Sequence, residues 1–459
     1  MIVELIHTIR VHIEKYMREQ NLKLQHFSDI TGINVGTLSA ILKGNRPMSM
    51  NQLDQITSAM GLEKGFFYEI YGVESFIESA PHWRRLEPYL YECAGLGKLD
   101  SIQQVITHVT DDRSYIDELF DVAESFFARG LKEAALILYE CVAHSEKYQH
   151  SERLALCQYR IFLLHKTINK FNNLNAAVKF EPFIEKLNEE IQLDAIKDLA
   201  NLYGTINLWD KVFELANELI LRTEFQVQLQ SMRRKRKTRI AAYPLFTYKA
   251  YANLLMANVS EERKQYMKAL EYTDVYEDIM DGIENPTEEE QELIDRFKGW
   301  AEGNRYLYKI LSGNFEVLNR YLDYLDVNHE EITIACTYIV QAANQFSFNI
   351  DHALNRYENY IVQIKIERHV EGIYNEQASN FRYIRLFYEL AKYRLNQNQI
   401  YQGIDHLITS LKRCVSSNDY MMCIKCIDLY GKYRDRASKT QKEQYTKLID
   451  KLGVPTFRS

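Results

Sequence analysis

The chain has 459 residues, 26% charged and 46% apolar, with a formal net charge of -7 and only 18 Gly and 7 Pro. This composition describes an ordinary soluble protein of two or more domains and excludes a generically basic nucleic-acid binder. No apolar run approaches the ~20 residues of a membrane span and no charged, then apolar, leader pattern opens the chain, so a cytoplasmic protein with no membrane partner is expected.

The first helix should turn Leu5, Ile6, Ile9 and Ile13 inward. A short second helix takes its apolar side from Phe27 and Ile30, Gly32 ends it in the left-handed region, and Asn34 can N-cap the next. That third helix buries Leu38, Ile41 and Leu42 and stops at Gly44. Its other side carries Val35, Gly36, Thr37, Ser39, Ala40 and Lys43, mostly small side chains that let a helix lie deep in a major groove. Ser49 and Gln52 form a capping box for a fourth helix with Leu53, Ile56 and Met60 inward, and about five helices fit in the first ~70 residues. Residues 1–62 hold six Lys and Arg against five Asp and Glu, so one copy should bind DNA weakly and two should share an operator.

Residues 22–62 resemble the lambda-repressor/Cro-like helix-turn-helix family, with the Gly32-Ile33-Asn34 turn, a recognition helix over 34–43 and then Gly44-Asn45-Arg46-Pro47. The resemblance implies a groove-facing set of Asn34, Gly36, Thr37, Ser39 and Lys43, and phosphate contacts from Lys23, Gln25, Asn45 and Arg46. The chain departs from the family at Leu24, where a Gln is usual and Gln25 stands beside it, and at Val35, where a basic residue is common.

Beyond the first domain (residues 1–72) and a linker over 73–80, residues 81–459 carry a recurring helical pattern. The sharpest copy, 115–148, sets Leu119, Val122, Ala123 and Phe126 on one helix, Gly130 at the turn, and Ala135, Tyr139 and Val142 on the next. Weaker copies pair Leu199, Ala200 and Tyr203 with Val212 and Ala216; Ala252 with Ala269 and Thr273; Tyr306 with Gly313, Leu318 and Leu322; Ala353 with Tyr357 and Tyr360; and Ala391 with Gly403 and Leu407. The unit resembles the tetratricopeptide repeat. An all-α fold is therefore expected, a lambda-repressor-like domain followed by a superhelix of about eight or nine hairpins whose concave wall is the ligand surface.

On the first helices of these hairpins an Asn recurs after a small residue: Asn201, Asn253, Asn304, Asn344 and Asn380. Such a column of carboxamides can grip the backbone of an extended peptide, with selectivity from Tyr203, Tyr251, Arg305, Tyr306, Gln341, Arg382 and Tyr383; alternatively these Asn are solvated or cap turns.

The run Arg233 to Arg239 reads as a solvated connection, a phosphate contact or a seat for a peptide carboxylate, and Glu288-Glu289-Glu290 after Pro286 as a helix start. Seven scattered Cys make no disulfide framework, and Cys423 and Cys426 read as buried structural thiols. No zinc-protease helix, phosphate loop or nucleophile elbow occurs and the twelve His are dispersed, so no enzyme, cofactor or metal site is expected.

A Cro-like reader followed directly by degenerate tetratricopeptide repeats resembles the peptide-pheromone receptors, the group of Rgg, PlcR, NprR, PrgX and the phage arbitrium receptor AimR. The resemblance implies a quorum-sensing transcriptional regulator in which a short secreted peptide, held by Asn201, Asn253, Asn304, Asn344 and Asn380, changes how a homodimer binds operator DNA. It also implies dimerisation through the last hairpins, about 375–452. The alternative is a scaffold that binds a protein partner, as the related Rap proteins do, with a vestigial helix-turn-helix.

Overall fold

The structure is a computed structural model that describes residues 8–109, 113–147, 151–165, 170–232, 241–366 and 376–452. Among these residues the chain is helical with no strand, and it packs as two compact units, 1–164 and 165–459.

The first unit opens with α1 (Ile9–Glu19), α2 (Leu24–Thr31), α3 (Val35–Leu42), α4 (Met50–Ala59) and α5 (Tyr68–Gly72). Ile9, Ile13, Phe27, Leu38, Ile41, Leu53 and Ile56 are buried together as their spacing requires, whereas Leu42 and Met60 are half-buried. Leu5 and Ile6 lie outside the described residues. Ile30 departs from expectation and is 54% exposed. At about 100° per residue, the buried arc of α2 runs from Phe27 through Thr31 to Ser28, and Ile30 falls on the far side of it. The turn is instead closed by polar groups: the Ser28 hydroxyl donates to the Ile33 carbonyl at 2.5 Å, and Ile33 N–H donates to the Thr31 hydroxyl at 3.3 Å.

Residues 73–77, expected within a linker, form a π-helical turn that continues α5. Phe76 is fully buried between Tyr71 and Tyr89, with ring centroids 5.7 and 5.2 Å away. Tyr89 belongs to α6 (Trp83–Gly95), which packs on α7 (Leu99–Val109). The helix-turn-helix and this hairpin therefore share one core. Gly72 shows how closely they meet, because a Cβ there would strike the Tyr89 hydroxyl and come within 2.9 Å of Val105 Cγ2. The unit ends with α8 (Ile116–Ala128), α9 (Lys132–Ser145) and α10 (Glu152–Leu164). The hairpin α8–α9 buries every apolar position expected of it, and Gly130 turns between its helices at φ +76°.

The second unit runs through α11 (Lys170–Phe180), α12 (Glu189–Thr205), α13 (Trp209–Met232), α14 (Leu245–Glu262), α15 (Tyr266–Asp281), α16 (Glu288–Leu311) and α17 (Leu318–Leu325). It continues with α18 (Ile332–Phe346), α19 (Asp351–Arg356), α20 (Glu358–Ile366), α21 (Glu376–Asn396), α22 (Ile400–Ser417), α23 (Tyr420–Tyr433) and α24 (Lys439–Leu452). Sequential helices pair from α11 to α17 and from α21 to α23, and α12, α14, α16, α18 and α21 also touch in that order, forming one row. The small residues sit where helices meet: Ala200, Ala252, Ala269, Ala353 and Ala391 are buried, and a Cβ on Gly403 would come within 2.6 Å of Leu395 Cγ. Thr287 and Glu290 form the capping box that starts α16, as the acidic triplet suggested. Among the described residues no helix is long and apolar enough to cross a membrane, and no group of three His, Cys, Asp or Glu is placed to hold a metal ion.

Candidate nucleic-acid interface

Asn34 caps α3 by accepting the Gly36 N–H at 2.9 Å, and Gly32 ends α2 at φ +70°. These two features set the angle at which α3 leaves the turn. Asn34, Gly36 and Lys43 are exposed and Thr37 and Ser39 half-exposed, so the expected groove-facing set lies on the open side of α3. Lys23, Gln25, Asn45 and Arg46 are exposed beside it, with Gln25 held to Asp29 at 3.2 Å. Among the described residues Lys23, Lys43 and Arg46 form no ion pair. Unpaired cations on an exposed helix-turn-helix are ready to displace counterions from phosphate.

Helix α1 adds residues that a reading confined to the turn and α3 misses. Glu14, Met17 and Arg18 of α1, Leu24 of α2, and Ser39, Leu42 and Lys43 of α3 line a cleft of about 340 Å³. Arg10, one turn before Glu14, lays its guanidinium against Gly44, where any Cβ would strike it. The signal was present as charges at i, i+4 and i+8 on one helix face. Arg10 also stands near Glu74, whose carboxyl accepts Ile9 N–H at 2.8 Å; burial pushes that carboxyl above its ordinary range, against the pull of the Ile9 bond and Arg10. If Arg10 touches phosphate, Arg10→Ala should weaken all operators alike and reduce the slope of log affinity against log salt by about 1. An unchanged slope in a salt titration would make Arg10 a purely structural support for Gly44.

The second unit places Asn201 on α12, Asn253 on α14, Asn304 on α16, Asn344 on α18 and Asn380 on α21, all on the single row. The side chains of Asn201, Asn253, Asn304 and Asn344 are engaged within the protein. Asn201 Oδ1 accepts the Tyr251 hydroxyl at 2.7 Å, Asn304 Nδ2 donates to the Tyr276 hydroxyl at 3.1 Å, and Asn344 Nδ2 donates to the Glu389 carboxylate at 2.9 Å. Asn253 is buried and donates to the Lys249 carbonyl of its own helix at 2.9 Å; the Asn380 side chain and the run 233–239 lie outside what the structure describes. Tyr203 is buried against Glu181, Arg305 pairs with Asp274 and Glu277, and Tyr306 stacks on Tyr321 at 5.6 Å. Tyr383 is buried beneath the Arg413 guanidinium, 5.0 Å from its ring. Gln341 Oε1 accepts from Arg385 at 2.8 Å, and the same Arg donates to Glu262 at 2.8 Å. Asn201, Asn304 and Asn344 thus share one row but face neighbouring helices, and α12 and α21 also pack on each other.

Glu261 lies buried beside this network, among Glu262, Tyr266, Tyr308, Tyr338 and Arg385. Burial, with the repulsion of Glu262, pushes its carboxyl up to about 7, while Tyr338 and Arg385 pull the other way. A folded-state value above the unfolded one of about 4.3 means that the native state holds the proton more tightly. The resulting stability is complete below that unfolded value and is lost as pH rises through about 7. Glu261→Gln should therefore flatten the pH dependence of the urea midpoint and stabilise the protein at about pH 8 by on the order of 2 kcal/mol. Parallel pH profiles for variant and parent would contradict this assignment.

Residues 12–65 match the family model of the Cro/C1-type helix-turn-helix DNA-binding domain. No curated protein and no solved structure matches the chain. The chain carries a DNA-binding domain of this type at its N-terminus, followed by helical units, which supports a DNA-binding transcription regulator rather than an enzyme.

Proposed function

We propose that the protein is a transcriptional regulator that reads operator DNA as a homodimer and is switched by a short signalling peptide bound on the α12–α21 row. The observation that carries the DNA reading is the open side of α3, where Thr37, Ser39 and Lys43 stand beside unpaired cations. Dimerisation is argued from charge: a module with six basic and five acidic residues in its first 62 has little phosphate affinity alone.

Support for a peptide ligand comes from the exchangeable hydrogen bonds of the row. Those of Asn201, Asn304, Asn344 and Gln341 each join two helices and are each worth about 1 kcal/mol net. A peptide backbone offers equivalent donors and acceptors, so it can take these partners over while changing how the helices pack. A tenfold change in operator occupancy needs only about 1.4 kcal/mol of differential affinity. The scaffold alternative does not require exposed, unpaired cations around the recognition helix.

Footprinting on the operator, with and without synthetic peptides from small reading frames adjoining the gene, tests the switch. Peptide-dependent affinity or protection is the expected result. Identical protection and affinity at saturating, demonstrably bound peptide would reject it.

A further inference from the structure

Cys423 and Cys426 have no second cysteine pair in the sequence, but the fold brings them a third thiol. Helices α22 and α23 are joined through Asn418 and Asp419, and Asn418 turns the chain at φ +54°. The register of the hairpin is set by Cys426 Sγ lying 3.5 Å from Ser410 Oγ. Facing residues on antiparallel helices run in opposite directions, so one turn nearer the connection on each helix Cys414 stands opposite Cys423. Backbone bonds close the same loop: Asp419 N–H donates to the Cys414 carbonyl at 3.0 Å, and Cys423 N–H to the Asp419 carbonyl at 2.9 Å. Cys414, Cys423 and Cys426 lie in one buried core cluster, and all three are 2% exposed or less.

We infer that Cys414 and Cys423 are an oxidisable dithiol, which a hydroperoxide converts to a disulfide tying α22 to the first turn of α23 while Cys426 stays reduced. The hydrogen bond from Cys414 draws the Cys423 thiol below its usual range, whereas Cys414 itself is raised by sharing hydrogens with its two neighbours. Burial instead pushes Cys93 and Cys336 up to about 12. Cys423 also stands in the first turn of α23, where the positive end of the helix favours a thiolate, and it is taken as the nucleophile. Its sulfur attacks one peroxide oxygen and the O–O bond breaks, leaving a sulfenic acid and one water; Cys414 sulfur then displaces the sulfenic oxygen as a second water. Two thiols lose two electrons and two protons, and the hydroperoxide takes up both.

The full chain is treated with hydrogen peroxide under native conditions, then denatured and alkylated. Free thiols should fall from the seven of the reduced chain to five. Trypsin cleaves after Arg413 and Lys425, so Cys414 and Cys423 share one peptide, expected to be unalkylated and two hydrogens lighter, while Cys426 lies in the next and is alkylated. Cys426→Ser should keep the bond; Cys414→Ser should abolish it and leave a dimedone-reactive Cys423. Seven surviving thiols, a bond between other cysteines, or oxidation confined to residues outside the 414–425 peptide would each overturn the assignment. The measurement on the unsubstituted protein decides the matter even if Cys414→Ser does not fold.

Discussion

Replacing Thr37 and Lys43 together with Ala should lower operator affinity by about a hundredfold or more, because a specific contact to a base edge is worth about 1–3 kcal/mol and a phosphate cation adds a salt-dependent share. Both residues lie on the open side of α3 and neither fills the core: Lys43 is exposed and Thr37 half-exposed. The melting temperature should therefore stay close to that of the parent. Fluorescence anisotropy across salt concentrations separates the two contributions, since Lys43→Ala alone should flatten the salt slope while Thr37→Ala alone should shift affinity for one operator sequence. Undiminished binding by a folded double variant would mean that the helix-turn-helix meets DNA through another face or has lost that role.

The second large effect is expected from Tyr89→Ala. Tyr89 is fully buried and its ring contacts Tyr71 at 5.9 Å and Phe76 at 5.2 Å, so the truncation should destabilise the first unit by about 3–5 kcal/mol. Set against a typical domain stability of about 5–15 kcal/mol, that is a large fraction. The residue lies outside the segment that matches the DNA-binding family, residues 12–65, yet operator binding should weaken at physiological temperature as α5 loses its support. Denaturant titrations followed by tyrosine fluorescence and by operator binding should then move together. A helix-turn-helix that keeps its own midpoint while α6 and α7 unfold would show that the two do not share a core.

Local chemistry made much of the first domain readable. The Asn34 cap, the Gly32 turn and the Ser49–Gln52 box each involve atoms only two to five residues apart, and each is found where its residues predicted. Periodicity likewise located the α8–α9 hairpin and its buried residues. Ile30 failed for a related reason: an eight-residue helix samples little more than two turns, too few for an apolar count to tell its buried side from its open one. The composition of 73–80 likewise does not reveal that Phe76 finds Tyr89 thirteen positions further on.

The recurring Asn residues mark the boundary most clearly. Their spacing is helical, and the helices that carry Asn201, Asn253, Asn304, Asn344 and Asn380 touch in chain order. It could not say what each carboxamide touches. Asn344 meets Glu389 across 45 residues and Arg385 meets Glu262 across 123, pairings decided by how neighbouring helices cross. The same holds for Arg10 against Gly44 and for Cys426 against Ser410. Helix caps, turns and apolar stripes follow from interactions within a few residues of chain, so they can be read from residue order; the partners of polar side chains depend on long-range packing and emerge only when the helices are assembled.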